Sequence, residues 1–214
     1  PQDNFALNPG SVPAADLLLI GNPTNPTGVL HPAASLLGLR AGVLVVDEAF
    51  LDAIPGQPES LIGPGMAGRL VLRSLTKTWA IAGIRAGYVV GDPTLIARLE
   101  AQQPPWSVST PAAAAMVACL SRSAAAEADR LARQDAGFRS DLVRRLSDVG
   151  LPTVPGSAPF VLVDTSPISP ESLRAPLATR GFAVRRAETF PGLGPTWLRL
   201  AVRTPKQHRL LAEA

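Results

Sequence analysis

The hydrophobic pattern of the first ninety residues is one of short, unbroken apolar runs that each end on polar residues. Asp16-Leu17-Leu18-Leu19-Ile20 stops at Gly21-Asn22-Pro23, Val43-Leu44-Val45-Val46 at Asp47-Glu48, and Leu70-Val71-Leu72 at Arg73-Ser74. Runs of this length without alternation are the signature of strands covered on both faces, as in a mainly parallel sheet. Tyr88-Val89-Val90 is a fourth strand candidate. Residues 32–40 between the first two runs are helix-like, whereas residues 58–67 are rich in Gly and Pro and predict a loop. The alternation predicts α/β architecture.

Beyond Pro93 the period lengthens. Residues 94–102 and 111–120 predict short helices, and residues 124–149 one long amphipathic helix that Gly150 and Pro152 stop. A second α/β unit follows: strand 160–164, helix 170–180, strands 182–186 and 197–202, and helix 205–214. This divides the chain into a large domain over residues 1–120, a connecting helix over 121–150 and a small C-terminal domain over 151–214.

Composition narrows the function classes. The chain has 214 residues, 46% hydrophobic and 17% charged, which is globular usage. No apolar run is long enough to span a bilayer, and Pro1-Gln2-Asp3-Asn4 has neither the basic nor the apolar part of a targeting signal. A single cysteine, Cys119, excludes an internal disulfide; it reads as a small buried hydrophobe and fits a cytoplasmic protein. His31 and His208 stand far apart with no neighbouring cysteines, which argues against a metal site. The net charge of +3 raises nucleic-acid binding. The arginines are scattered, however, and their densest group (Arg130, Arg133, Arg139, Arg144, Arg145) shares a helix with Glu127, Asp129, Asp135 and Asp141. A mixed-charge helix is a solvated face, and neither nucleic acid nor membrane is an expected partner.

One count redirects attention. Of 20 basic residues only two are lysines, Lys77 and Lys206. Lys206 lies at a polar helix start. Lys77 falls between two apolar strands, in Ser74-Leu75-Thr76-Lys77, one of three polar clusters at predicted strand ends; the others are residues 22–28 and 47–50. Ligands of open α/β sheets bind at the carboxyl ends of the strands.

The same clusters carry a family resemblance. Asn22-Pro23-Thr24-Asn25-Pro26-Thr27-Gly28 resembles the Asn-Pro-x-Asn-Pro-Thr-Gly motif of class I/II aminotransferases, Asp47-Glu48-Ala49-Phe50 their acidic strand end, and Ser74-Leu75-Thr76-Lys77 with Ala82-Gly83-Ile84-Arg85-Ala86-Gly87-Tyr88 their lysine motif. Leu198-Arg199-Leu200-Ala201-Val202 resembles their C-terminal arginine strand. The resemblance implies the large domain of a pyridoxal-5′-phosphate (PLP) enzyme plus its small α/β domain. Lys77 would bind the cofactor covalently and exchange protons, its amine kept neutral by burial and neighbouring positive charge. Asp47 would be a buried carboxylate paired with the cofactor's pyridine nitrogen. Asn25 would donate to its phenolic oxygen, and Ser74, Thr76 and Arg85 would hold its phosphate. Arg199 would clamp the substrate carboxylate, with Arg203 as the alternative.

Two departures refine the expectation. Phe50 stands where many members have a tyrosine, and it cannot donate a hydrogen bond. The Asp-Glu-Ala-Phe version, with Val184-Arg185-Arg186-Ala187-Glu188-Thr189-Phe190, is more similar to the threonine-phosphate decarboxylases of cobalamin synthesis than to histidinol-phosphate aminotransferases, and it makes Arg185 a substrate contact. A phosphorylated amino acid is the expected substrate, decarboxylation is placed ahead of transamination, and a homodimer or other self-association is expected. The second departure is that no glycine-rich phosphate loop precedes Asn22. The large domain therefore reads as incomplete at its N-terminus. That predicts weak or no cofactor binding and no turnover by this chain alone, and it leaves a silent assembly module as the rival reading.

Overall fold

The computed structural model describes residues 4–214, so Pro1, Gln2 and Asp3, read above as carrying no targeting signal, lie outside the described residues. Two compact units form. One comprises Ala6–Asn22 and His31–Ala132; the other comprises, of the described residues, 4–5, Pro23–Leu30 and Arg133–Ala214. The division is discontinuous, unlike the contiguous one expected from the sequence. The Asn-Pro motif is split after its first residue, and the long helix is shared.

In the first unit, β1 (Ala15–Gly21), α1 (Ala33–Leu37), β2 (Ala41–Asp47), β3 (Arg69–Ser74) and β4 (Gly87–Gly91) form a four-stranded sheet in the order β1-β2-β3-β4. The first three strands are parallel and β4 is antiparallel to β3. The mainly parallel sheet expected from unbroken apolar runs is thus present. Its buried face packs Leu44, Val46 and Val71 against Leu36 of α1 and Leu61 of the following loop. Burial on both faces does not extend to β1. This edge strand leaves Leu17 59% and Leu19 67% exposed, because nothing among the described residues lies over their side of the sheet. After β4, Asp92 caps α2 (Pro93–Glu100) by accepting from the Thr94 and Leu95 amides. Then comes α3 (Thr110–Cys119), capped by Ser109 and buried only at Ala112. Cys119 on it is half-buried rather than buried, since this apolar helix has few neighbours.

The helix α4 (Arg122–Asp148) runs 27 residues. Ala132, Leu142 and Leu146 are its buried positions, and its charges pair within the helix: Arg130 with Glu127 at 2.6 Å, and Arg144 with Asp141 at 2.9 Å. Its end is a left-handed glycine cap. Gly150 has φ +77°, its amide donates to Ser147 O, and the Leu151 amide reaches back to Leu146 O, with both leucines in one apolar cluster.

The second unit builds a three-stranded antiparallel sheet, β5-β7-β6, from β5 (Phe160–Asp164), β6 (Arg185–Arg186) and β7 (Trp197–Ala201), together with α5 (Arg174–Thr179) and α6 (Pro205–Ala212). One face carries Val161, Val163, Leu198 and Leu200 against Leu142 and Leu146 of α4; the other carries Leu162 with Val154 and Ala187. Two elements are shorter than the sequence predicts. α5 starts at 174 rather than 170 because a helix tolerates Pro only in its first turn, and Pro176 would stand too deep in an earlier start. Ser169 and Ser172 hold the preceding turns by accepting from the Glu171 and Arg174 amides. β6 loses residues 182–184 because Phe182 is tied back to the helix, its amide donating to Leu177 O past the left-handed Gly181.

Candidate functional site

The carboxyl ends of β2 and β3 lie side by side, with Asp47 paired to Leu72. Immediately beyond β3, Ser74 Oγ and Thr76 Oγ1 are 2.8 Å apart, and Lys77 Nζ donates to Thr76 Oγ1 at 3.2 Å. The same ammonium faces the Phe50 ring at 5.6 Å from its centroid, a cation–π contact that joins the lysine turn to the end of β2. The three residues expected together in the lysine motif are therefore together. Lys77 is exposed, however, not buried as expected, while Thr76 is buried. Ala80, three residues after Lys77, sits at φ +51°, a conformation that costs an L-residue about 1 kcal/mol or more.

Asp47 is also exposed, and its Oδ1 accepts from the Ala49 amide at 3.0 Å. The expectation of a buried carboxylate is corrected by one position: the buried acid is Glu48, 1% exposed. Strand geometry gives the reason, since neighbouring side chains leave a strand on opposite sides. Glu48 Oε1 accepts from the Leu61 amide at 2.7 Å, Oε2 accepts from Ser60 Oγ at 2.9 Å, and Oε2 lies 3.1 Å from Arg73 Nε. Arg73 Nη1 donates to Asp52 at 2.6 Å, and Nη2 donates to Gln57 Oε1 at 2.7 Å. Burial pushes the Asp52 carboxyl upward, and Arg73 partly offsets this. Glu48 and Arg73 went unremarked in the sequence, although a charge next to each apolar strand run was the available signal.

Arg85 follows a 3₁₀ turn (Ala82–Ile84) in left-handed conformation, exposed, with Nη1 donating to Ala82 O at 2.9 Å. The Ala86 carbonyl beside it accepts from the Leu75 amide at 3.2 Å, which ties its segment to the lysine turn. Asn22, also missed, closes the base of the loop that carries the rest of its motif. Its fully buried amide accepts from His31 N at 2.8 Å and donates to His31 O at 3.0 Å, and its own N–H donates to Asp47 O at 2.9 Å.

The second unit holds the remaining candidates. Asn25, next to the cis Asn25–Pro26 bond, accepts through Oδ1 from Arg199 Nη1 at 2.5 Å, which leaves its Nδ2 donors for another partner. Gly28 has φ +76°, and its carbonyl accepts from Ser157 N at 2.8 Å. Arg199 on β7 stacks over Phe160, 4.8 Å from the ring centroid, and stands directly opposite Arg185 of β6. Its pKa is lowered, first by burial and then by the Arg185 charge. Arg203, the alternative to Arg199, is exposed beyond the end of β7.

The donor set at the ends of β2 and β3 fits PLP. It offers an amine within reach of solvent, two linked hydroxyls and a carboxylate, the three kinds of group that an aldehyde, a phosphate and a pyridinium require. The opposed arginines fit an anionic substrate.

Comparison with known proteins agrees. The family described as Aminotransferase class I and II matches residues 6–214. A histidinol-phosphate aminotransferase of Mycobacterium tuberculosis is 46% identical over 202 residues, covering 93% of this chain and 55% of the relative. The threonine-phosphate decarboxylase of Salmonella typhimurium is 36% identical over 212 residues, covering 94% and 57%. Among solved structures, the histidinol-phosphate aminotransferase of Sinorhizobium meliloti in complex with pyridoxal-5′-phosphate shares the fold, with a TM-score of 0.73 at 23% identity over 93% of this chain and 56% of that one. The chain thus spans little more than half the length of these relatives. Fold, strand-end chemistry and relatives lead to one conclusion: this chain belongs to the class I and II aminotransferase family of pyridoxal-phosphate enzymes.

Proposed function

We propose that the whole protein is a PLP-dependent aminotransferase of the histidinol-phosphate type, acting on a phosphorylated amino acid or its amine. The observation that carries this is the pair Arg185 and Arg199, opposed across β6 and β7. Like charges placed opposite each other weaken a sheet, and among the described residues no carboxylate neutralises the two; Glu188 pairs with Arg186 instead. Two guanidinium groups suit the anions that such an enzyme holds in turn, the phosphate of an amino alcohol phosphate that has no carboxylate and the carboxylates of the 2-oxo acid partner, each met by a planar fork of donors. Identity of 46% to an aminotransferase against 36% to a decarboxylase reverses the preference drawn from Phe50. Phe50 remains the argument for decarboxylation as the second reading, because it supplies a ring face where a tyrosine would supply a donor.

In this reading Lys77, Asp47, Ser74, Thr76 and Arg85 hold the cofactor. Asn25 is the proposed contact of cofactor and substrate, and Arg185 and Arg199 are the proposed substrate contacts. PLP would supply an electron sink for the charge left at the substrate's α-carbon. Lys77 Nζ takes and returns the proton at that carbon, with Thr76 Oγ1 as the acceptor that steadies it. Asp47 keeps the pyridine nitrogen protonated through its negative charge. Arg199 orients the anionic group of whichever substrate is bound, its fork held in plane by Phe160 and Asn25. A cytoplasmic location accompanies this chemistry, and so does a homodimer. The apolar, exposed α3 supports the latter, with Val117 on it 78%, Leu120 at its C-cap 53% and the preceding Trp106 96% exposed.

The test begins with an absorbance titration of PLP, borohydride reduction and peptide mapping. Label on Lys77, lost in Lys77→Ala, is expected; label on Lys206 instead overturns the cofactor assignment. With the full-length protein, amino transfer from histidinol phosphate to a 2-oxo acid is expected without CO₂ release. CO₂ release from threonine phosphate would select the second reading.

A further inference from the structure

We infer that Glu48 and Arg73 are positioning residues that set the relation between Asp47 and Lys77; their role in cofactor binding rests on the PLP reading above. Each sits next to a site residue. Glu48 follows Asp47 at the end of β2, and Arg73 precedes the Ser74–Lys77 turn at the end of β3. Each is buried, with side chains 0% and 6% exposed. The backbone joins the strands here too, since Glu48 N donates to Leu72 O at 3.0 Å.

The direct pairing is ionic, and the surrounding bonds give it direction. Arg73 Nε faces Glu48 Oε2 at 3.1 Å without hydrogen-bond alignment. The guanidinium's terminal nitrogens are committed to Asp52, Gln57 and Ser60, the last at 3.2 Å. Ser60 donates onward to Glu48, and Gln57 Nε2 donates to Asp52 Oδ1 at 3.2 Å, closing the network on itself. A charge sunk this deep binds its partners far more strongly than it would at a surface, and loss of one partner strands the other in a medium that cannot solvate it. The network therefore allows one relative placement of the two strand ends and penalises others. Asp47 and Lys77, both exposed and lightly bonded themselves, take their placement from these buried neighbours. Arg73 cannot be replaced by lysine here, because three differently directed partners require a planar fork.

The experiment compares the 214-residue chain with Glu48→Gln, Arg73→Lys and the double variant, and with the milder Ser60→Ala in case any of these fails to fold. The first readout needs no cofactor: amide hydrogen exchange mapped by peptide. In variants with unchanged circular dichroism, segments 47–53 and 74–80 exchange ten-fold or more faster, two- to five-fold for Ser60→Ala, while α6 is unchanged. The double variant exceeds neither single one, the mark of a shared interaction. The second readout is PLP titration of the full-length protein and the same variants in it. Affinity falls ten-fold or more, and the pH midpoint of the bound cofactor's absorbance band moves, which global destabilisation alone would not cause. Folded variants whose 74–80 exchange equals that of the parent overturn the inference, as does a PLP midpoint and affinity unchanged from the parent. A full-length protein that takes up no PLP while the variants show the exchange effect refutes the cofactor reading and leaves the positioning of the two strand ends standing.

Discussion

Asp141 offers the clearest quantitative test of the second unit. It lies on α4, where its Oδ1 accepts from Arg144 Nη2 at 2.9 Å and its Oδ2 accepts from Arg145 Nε at 2.9 Å and from His208 Nδ1 at 3.1 Å. His208 is 1% exposed, and its Nε2 accepts from the Arg203 amide at 2.8 Å, so the ring carries its proton on Nδ1 and points it at Asp141. Arg145 foremost, with His208 and Arg144, holds the Asp141 carboxyl down at about 2, from an ordinary 3.8. A displacement of that size corresponds to roughly 2.4 kcal/mol. Arg144 is 59% exposed and its share is screened, which brings the usable figure to about 1.5–2 kcal/mol. The folded pKa is the lower one, so the contribution is fully present above the unfolded value near 4 and disappears as pH falls from about 4 to about 2. Asp141→Asn keeps the shape and removes the charge. Urea unfolding followed by circular dichroism should show the variant about 1.5–2 kcal/mol less stable at pH 6, with the two proteins converging by pH 2. A difference that stays constant across that range would show that the group contributes through fit and not through charge.

Three further outcomes are expected. Gly156→Ala places a Cβ 2.8 Å from the Gly28 backbone, so it should destabilise the second unit by about 2 kcal/mol, read from its unfolding midpoint. Ala80→Gly relieves the left-handed strain beside the lysine turn and should stabilise the first unit by about 0.5–1 kcal/mol in the same measurement. In the full-length protein, Arg199→Lys keeps the charge but loses the fork and the stacking on Phe160; KM for the phosphorylated substrate should rise roughly 10- to 100-fold with little change in stability.

Much of this molecule was legible in its sequence because apolar runs ending on polar residues carry two messages at once. They fixed β1, β2 and β3 to within a residue or two and placed Asp47 and Ser74–Lys77 at strand ends. Period and stop signals did the same for α4, whose glycine cap follows from Gly150. What escaped notice depends on contacts distant in sequence. Which of Asp47 and Glu48 faces inward is decided by Ser60, Leu61 and Arg73, and no local pattern names them. The exposure of Leu17 and Leu19 was hidden for a related reason: a run of leucines looks the same whether or not something covers each face. The short α5 and β6 show local chemistry, at Pro176 and Gly181, overriding apolar periodicity.

The loop that carries Asn25 has an implication for how the chain is made. Residues 23–30 belong to the unit completed by residues 133–214, and Asn25 meets a partner 174 positions later. During synthesis from the N-terminus, the first unit can gather most of its sheet once residue 132 has emerged, but this loop must wait, its base already pinched shut by Asn22 and His31, until β7 leaves the ribosome. Contacts of such long range form late and slow the search for the native state. The pinch turns that delay from a search over a free strand into the docking of a preformed loop.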